Sequence, residues 1–215
     1  RGVPIGGAPT GGTTPNGLPG VASVSSAPLS AIVGELLRNS DNNTAEMLLK
    51  EIGFASRQSG TRAAGVTTVM ERLAAWGVPL QGFNMVDGSG LSRENKVACS
   101  TFMALLGRYA PGETIVSALA VAGQTGTLDQ YFVGTSIENR LVAKTGSLSD
   151  VKGLIGYLPA EGGSLIRFVV LLEATGVDEP SAFVPIWEEL LGEAIGSYPS
   201  GPIADQLLPL AVVPR

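Results

Sequence analysis

Lys144-Thr145-Gly146-Ser147 places a cation, a hydroxyl, a residue without a side chain and a free backbone N–H in consecutive positions. The apolar lead-in Leu141-Val142-Ala143 puts them on the edge of a strand. Such a run suits anion binding and the stabilisation of an oxyanion, because its donors are fixed before charge develops. About 105 residues upstream, Ser40-Asp41-Asn42 lies in a cluster of five small polar residues at 39–43. By residue type that cluster is a helix N-cap. It becomes chemical only in company with other groups.

What the chain lacks narrows the chemistry. There is no histidine, which removes Ser-His-Asp triads, Cys-His dyads and histidine-ligated metals. Cys99 is the only cysteine, so no internal disulfide and no cysteine-rich zinc site can form. With no histidine to activate it, Cys99 reads as a small buried apolar residue. Hydrolysis here must use serine, lysine, carboxylate or tyrosine. No metal or other cofactor is expected. Charged residues make up 15% of the chain and the formal net charge is −5, which argues against a nucleic-acid partner. Hydrophobic residues make up 44% of the 215, enough for a sizeable core, and no apolar run approaches a membrane span.

The elements that must position these groups are legible in outline. Residues 1–20, with prolines at 4, 9, 15 and 19, read as a Gly/Pro-rich connector. A short β-like run follows at 21–25. Pro28 opens a helix with Leu29, Ile32, Val33, Leu36 and Leu37 on one face. A second helix carries Ala45, Met47, Leu48, Leu49 and Ile52 and stops at Gly53. A third covers 60–76, with Gly77 as its stop. A short strand at 83–86 leads into Asp87-Gly88-Ser89-Gly90-Leu91-Ser92-Arg93, where Asp87 and Ser89 shape a turn. Helices follow at 99–109 and 114–119. A turn at 123–128 caps a short helix at 129–132. Strands at 153–158 and 165–172, joined by a hairpin at 159–163, and a helix at 181–195 complete the pattern. Trp76 and Trp187 are assigned to the core, and Lys152 to a solvated hairpin position. Residues 198–215 form a Pro-rich tail. Helices, then an antiparallel meander, then a helix predict a mixed α+β fold, an antiparallel sheet flanked by helices.

Ser40-Asp41-Asn42, Asp87-Gly88-Ser89-Gly90-Leu91-Ser92 and Lys144-Thr145-Gly146-Ser147, in that order, resemble the D-alanyl-D-alanine carboxypeptidases of the penicillin-binding protein superfamily. The resemblance is strongest to the low-molecular-mass class C enzymes, which combine carboxypeptidase and endopeptidase activity. It implies the penicillin-binding/serine β-lactamase transpeptidase fold and lysine-activated serine chemistry, in keeping with the missing histidines. It implies that 21–197 is the C-terminal part of such a domain. The reaction implied is cleavage of D-Ala-containing peptidoglycan peptides through an acyl-enzyme, with β-lactams acylating the same serine. An extracytoplasmic location, in the periplasm or cell wall, follows from that substrate.

The implied roles fall on matching residues. Ser40 would relay a proton to the leaving amine, and Asn42 would bind the substrate carbonyl and orient a lysine. Lys144 would supply positive potential, and Thr145 would bind the terminal carboxylate. Gly146 would keep the strand edge open, and the Ser147 N–H would be an oxyanion donor. One motif is missing. The family's Ser-x-x-Lys lies far upstream of Ser-x-Asn, and residues 1–39 contain no lysine. The one match, Ser149-Asp150-Val151-Lys152, lies five residues beyond Lys144 on the same segment and cannot face it across a cleft. The nucleophile is therefore expected on an N-terminal portion of the same protein. Two alternatives accompany this reading. One is a β-lactamase or esterase of the same superfamily, against which the Asp-Gly-Ser-Gly-Leu-Ser block argues. The other is a non-catalytic wall-peptide-binding protein.

Overall fold

The computed structural model describes residues 22–110, 113–159 and 165–195, with scattered positions between 2 and 20. Four strands form an antiparallel sheet in chain order: β1 (Ala120–Val121), β2 (Val142–Leu148), β3 (Val151–Pro159) and β4 (Leu165–Glu173). Alternate side chains along a strand point to opposite faces, and both faces here are apolar. Leu141, Ala143, Leu154, Leu158, Ile166 and Phe168 are buried on one face. Phe183, Trp187 and Leu191 of the C-terminal helix α6 (Pro180–Trp187) and its π-helical continuation (Glu188–Ile195) cover them. The Phe183 and Trp187 rings meet edge-on, 4.6 Å between centroids. Burying each contributes about 1.5–3 kcal/mol. On the opposite face Tyr157, Val142 and Leu165 pack with Leu106 of α4 (Cys99–Leu106), Val116 of α5 (Thr114–Ser117) and Leu119 between α5 and β1. Leu37 of α1 (Leu29–Asn39) joins them. The expected sheet flanked by helices is therefore present.

Two further helices, α2 (Asn42–Arg57) and α3 (Arg62–Ala75), form a tight pair. Gly53 does not end α2. It lies inside the helix, because the pair crosses where a Cβ on Gly53 would sit 2.7 Å from the Gly65 nitrogen. Other expected elements also shift. Residues 22–25 are exposed and form no strand, because no sheet edge lies beside them, and Val21 lies outside the described residues. The run at 83–86 contributes one bridge, Asn84 to Lys96. The helices expected at 99–109 and 114–119 end earlier, at Leu106 and Ser117. The turn expected at 123–128 contains a 3₁₀ segment, Gly126–Leu128, in place of a helix at 129–132. The hairpin residues 160–164 and the tail at 198–215 lie outside the described residues.

Three side chains also depart from expectation. Cys99 is exposed at the first turn of α4, where Thr101 turns inward instead and donates to the Pro79 carbonyl at 2.7 Å. Trp76 is 37% exposed, its ring covered by the Arg108 guanidinium at 4.4 Å. Trp187 is buried as expected. Lys152 is half-buried and not fully solvated. Strand alternation places it on the face of Leu154 and Leu158, with its ammonium 3.9 Å from the centre of the Phe183 ring.

Candidate active site

Four chain segments meet at one end of β2. The first is the junction between α1 and α2. Ser40 closes α1 in the left-handed conformation, φ 58° and ψ 47°, and this sharp reversal lets α2 start two residues later. Asp41 is the N-cap, its carboxylate accepting from the Thr44 N–H at 2.5 Å. Capping and chemistry are thus divided between neighbours. Asp41 caps, and the Ser40 hydroxyl is turned toward the sheet. Asn42, the first residue of α2, is exposed and makes no side-chain hydrogen bond among the described residues.

The second segment is β2 itself. Lys144 Nζ donates to Ser40 Oγ at 2.7 Å and to the Thr145 carbonyl at 2.6 Å. Among the described residues no carboxylate pairs with it. Its stem borders an apolar cavity of about 180 Å³, shared with Leu37, Leu119, Ile155 and Tyr157. Burial disfavours the ammonium and brings the Lys144 pKa down to about 8. β1 pairs only with Val142 and Ala143, so from Lys144 onward β2 has a strand partner on the β3 side alone. Gly146 and Ser147 are exposed on that edge, and a Cβ on Gly146 would meet nothing within 4 Å. An extended peptide could add there by backbone pairing.

The third segment is the 3₁₀ turn Gly126–Leu128. Thr145 Oγ1 donates to Thr127 Oγ1 at 2.8 Å. The turn rests directly on the C-terminus of α1. Gly126 has φ +60°, and a Cβ there would collide with the Arg38 carbonyl. Thr127 was legible only as part of a glycine-spaced turn, with no signal pairing it to Thr145.

The fourth segment is the 87–93 turn. Asp87 is buried and builds it, accepting from the Gly90 N–H at 2.8 Å, the Ser92 N–H at 2.7 Å and Asn95 Nδ2 at 2.8 Å. The turn ends in Arg93, which reaches the β2–β3 turn. Its Nη2 donates to Ser149 Oγ at 2.6 Å and its Nη1 pairs with Asp150. Ser149 and Lys152 share no hydrogen bond among the described residues. Lys152 contacts Ser147 Oγ at 3.4 Å instead. Ser40 and the Lys144–Ser147 run are therefore brought together at one edge of the sheet, Asn42 adjoins Ser40 without a side-chain bond, and Arg93 and Thr127 are additions to the set read from sequence. Among the described residues no His/Cys/Asp/Glu cluster could hold a metal, and no helix is long and apolar enough to cross a membrane.

The chain as a whole is similar to known proteins. The model of the D-Ala-D-Ala carboxypeptidase 3 (S13) family matches residues 1–185. A D-alanyl-D-alanine carboxypeptidase of Actinomadura sp. (strain R39) is 40% identical over 158 residues, covering 70% of this chain and 29% of that protein. Carboxypeptidase DacB of Mycolicibacterium smegmatis is 30% identical over 176 residues, 77% of this chain and 37% of that one. The chain thus spans about a third of the length of these curated relatives. Among solved structures, penicillin binding protein 4 (dacB) from Haemophilus influenzae, complexed with a β-lactam, superimposes with TM-score 0.71 at 25% identity. That match covers 78% of this chain and 41% of the other. A predatory endopeptidase from Bdellovibrio bacteriovorus shares the fold at TM-score 0.63 and 20% identity, covering 82% and 45% of the two chains.

Proposed function

Because the chain belongs to the D-Ala-D-Ala carboxypeptidase 3 (S13) family, we propose that it forms one wall of a serine D,D-carboxypeptidase/endopeptidase cleft acting on peptidoglycan peptides. The observation that carries this reading is the 2.7 Å hydrogen bond from Lys144 Nζ to Ser40 Oγ, which joins groups 104 residues apart in the chain. A serine and its lysine base on an upstream part of the same protein complete the site. The serine Oγ attacks the carbonyl of the penultimate D-Ala and its proton passes to that lysine. The C–N bond then breaks, the terminal D-Ala leaves as an amine, and water hydrolyses the ester.

On this reading each group on the wall has a role. Lys144 donates to Ser40 Oγ, so the Ser40 hydroxyl hydrogen is left to point elsewhere. The hydroxyl relays to the leaving amine the proton that the upstream lysine took from the serine, giving up its own hydrogen and receiving that one in its place. Asn42 binds the peptide carbonyl. The Lys144 ammonium attracts the terminal carboxylate, and the Thr145 hydroxyl binds it by turning its hydrogen away from Thr127. The open edge at Gly146 receives substrate backbone, and the Ser147 N–H stabilises the oxyanion with a second N–H from the upstream serine. On this reading the substrate calls for a location outside the cytoplasmic membrane.

Covalent labelling with a fluorescent penicillin tests the reading. The complete protein should be acylated on an upstream serine, with labelling strongly slowed in Ser40→Ala. The 215-residue chain alone should remain unlabelled. Absence of acylation in the complete protein, or a label on Ser149, would overturn it.

A further inference from the structure

Glu46 lies one helical turn beyond Asn42, on the same side of α2. By type and position it is an ordinary polar residue on a surface helix, yet four donors converge on it. Oε1 accepts from the Gly88 N–H at 3.0 Å, the Ser89 N–H at 3.0 Å and the Ser89 hydroxyl at 2.8 Å. Oε2 accepts from Arg62 Nε of α3 at 3.0 Å. The contact is close. A Cβ on Gly88 would sit 2.6 Å from the Ala45 carbonyl, so only glycine lets the turn rest against α2 there.

Burial alone would raise the Glu46 carboxyl. The hydrogen bonds from Ser89, Arg62 and Gly88 outweigh it and hold the group below the usual carboxylate range. The carboxylate is thus ionised at neutral pH, the form that accepts all four hydrogens. Ser89 is then more than a turn former, since both its N–H and its hydroxyl are committed to Glu46.

These bonds close a ring around the cleft. One arc is the floor, where Lys144 donates to Ser40. The other runs from Asn42 along α2 to Glu46, through the 87–93 turn to Arg93, across to Ser149 and Asp150, and back along β2 to Lys144. We propose that Glu46 is the positioning residue of this second arc. It holds the turn so that Arg93 clamps the rim formed by the β2–β3 turn, fixing the distance between the Ser-x-Asn wall and the Lys-Thr-Gly wall. The inference rests on the peptidase reading for its catalytic consequence. The positional coupling stands on the hydrogen bonds alone.

The two arcs predict a split between substrates. A compact β-lactam meets the floor, whereas a longer peptide extends past Ser147 to the rim. In the complete protein, Glu46→Ala should lower kcat/KM for a D-Ala-D-Ala pentapeptide about tenfold, mostly through KM, and should slow acylation by a small β-lactam far less. Glu46→Gln keeps an acceptor oxygen toward Gly88 and Ser89 and should recover most of the loss. Arg93→Ala should reproduce the pattern, and the double variant should be no worse than either single one. Equal loss with both substrates, or additive losses, would overturn the proposal. Amide exchange separates this failure from failure of the peptidase reading. Glu46→Ala should speed exchange at Gly88 and Ser89 and sharpen or shift the Arg93 Nε–H resonance, whether or not the protein acylates. Unchanged exchange at Gly88 and Ser89 would overturn it independently of activity. Ser89→Ala, which removes one of the four donors, gives the same readouts with less risk to folding.

Discussion

The half-buried ammonium of Lys144 makes a prediction that can be worked through in numbers. Its pKa of about 8, against 10.5 for an ordinary lysine, comes from burial against Leu37, Leu119, Ile155 and Tyr157, with no carboxylate among the described residues to compensate. At pH 7 about one molecule in ten carries a neutral Lys144, and at pH 8 about half do. The difference in pKa corresponds to about 3 kcal/mol of stability. Its sign follows from the protons bound. Between pH 8 and 10.5 the unfolded chain holds a proton that the folded chain has lost. Stability from this group is therefore fully present above pH 10.5 and is lost as the pH falls to 8. Two measurements check it. The ¹³Cε resonance of Lys144 can be followed against pH, and its midpoint should lie at about 8 and not at the 10.5 of an ordinary lysine. Urea unfolding of wild type and Lys144→Met should show a stability difference that changes by about 3 kcal/mol between pH 8 and 10.5 and is flat below. A Lys144 that titrates at the ordinary lysine value, or a difference that stays flat throughout, would refute the reasoning.

Other expectations follow from close contacts in the sheet and the cleft. Gly156→Ala should lower stability by about 1–3 kcal/mol in thermal unfolding, because the new Cβ would collide with the Val142 carbonyl and lie 2.7 Å from the Ala143 Cα. Thr127→Val removes the partner of Thr145 Oγ1 and should cost about 1 kcal/mol in denaturant unfolding. If Thr145 holds the terminal carboxylate, the same variant of the complete protein should raise KM for a D-Ala-D-Ala peptide more than it lowers kcat.

The parts of the molecule legible in the sequence were those governed by local rules. The Lys144–Ser147 strand and the β3–β4 meander follow from alternation and turn residues, and the α1–α2 junction from its capping residues. What the sequence concealed depends on which distant surface a side chain meets. Cys99 and Trp76 have apolar character, but character does not say which side of an element faces inward. Lys152 lies close to a turn, but strand parity decides which face it joins. Gly53 reads as a helix stop until a second glycine-bearing helix is seen crossing it. Glu46, Arg93 and Thr127 each make their defining bonds to groups 18 to 57 residues away. No spacing rule connects such pairs.

The Lys144–Ser40 bond closes a span of 104 residues, and this bears on when the cleft comes into being. The α2–α3 pair and the β2–β3–β4 meander each join neighbours in the chain and can form early at small entropic cost. The cleft is the seam between these two units, so it waits for their docking. By the same logic it is the first feature lost when they part. A chain in which helices and sheet persist, yet Lys144 titrates like a surface lysine, would be one whose two halves had folded and not yet met.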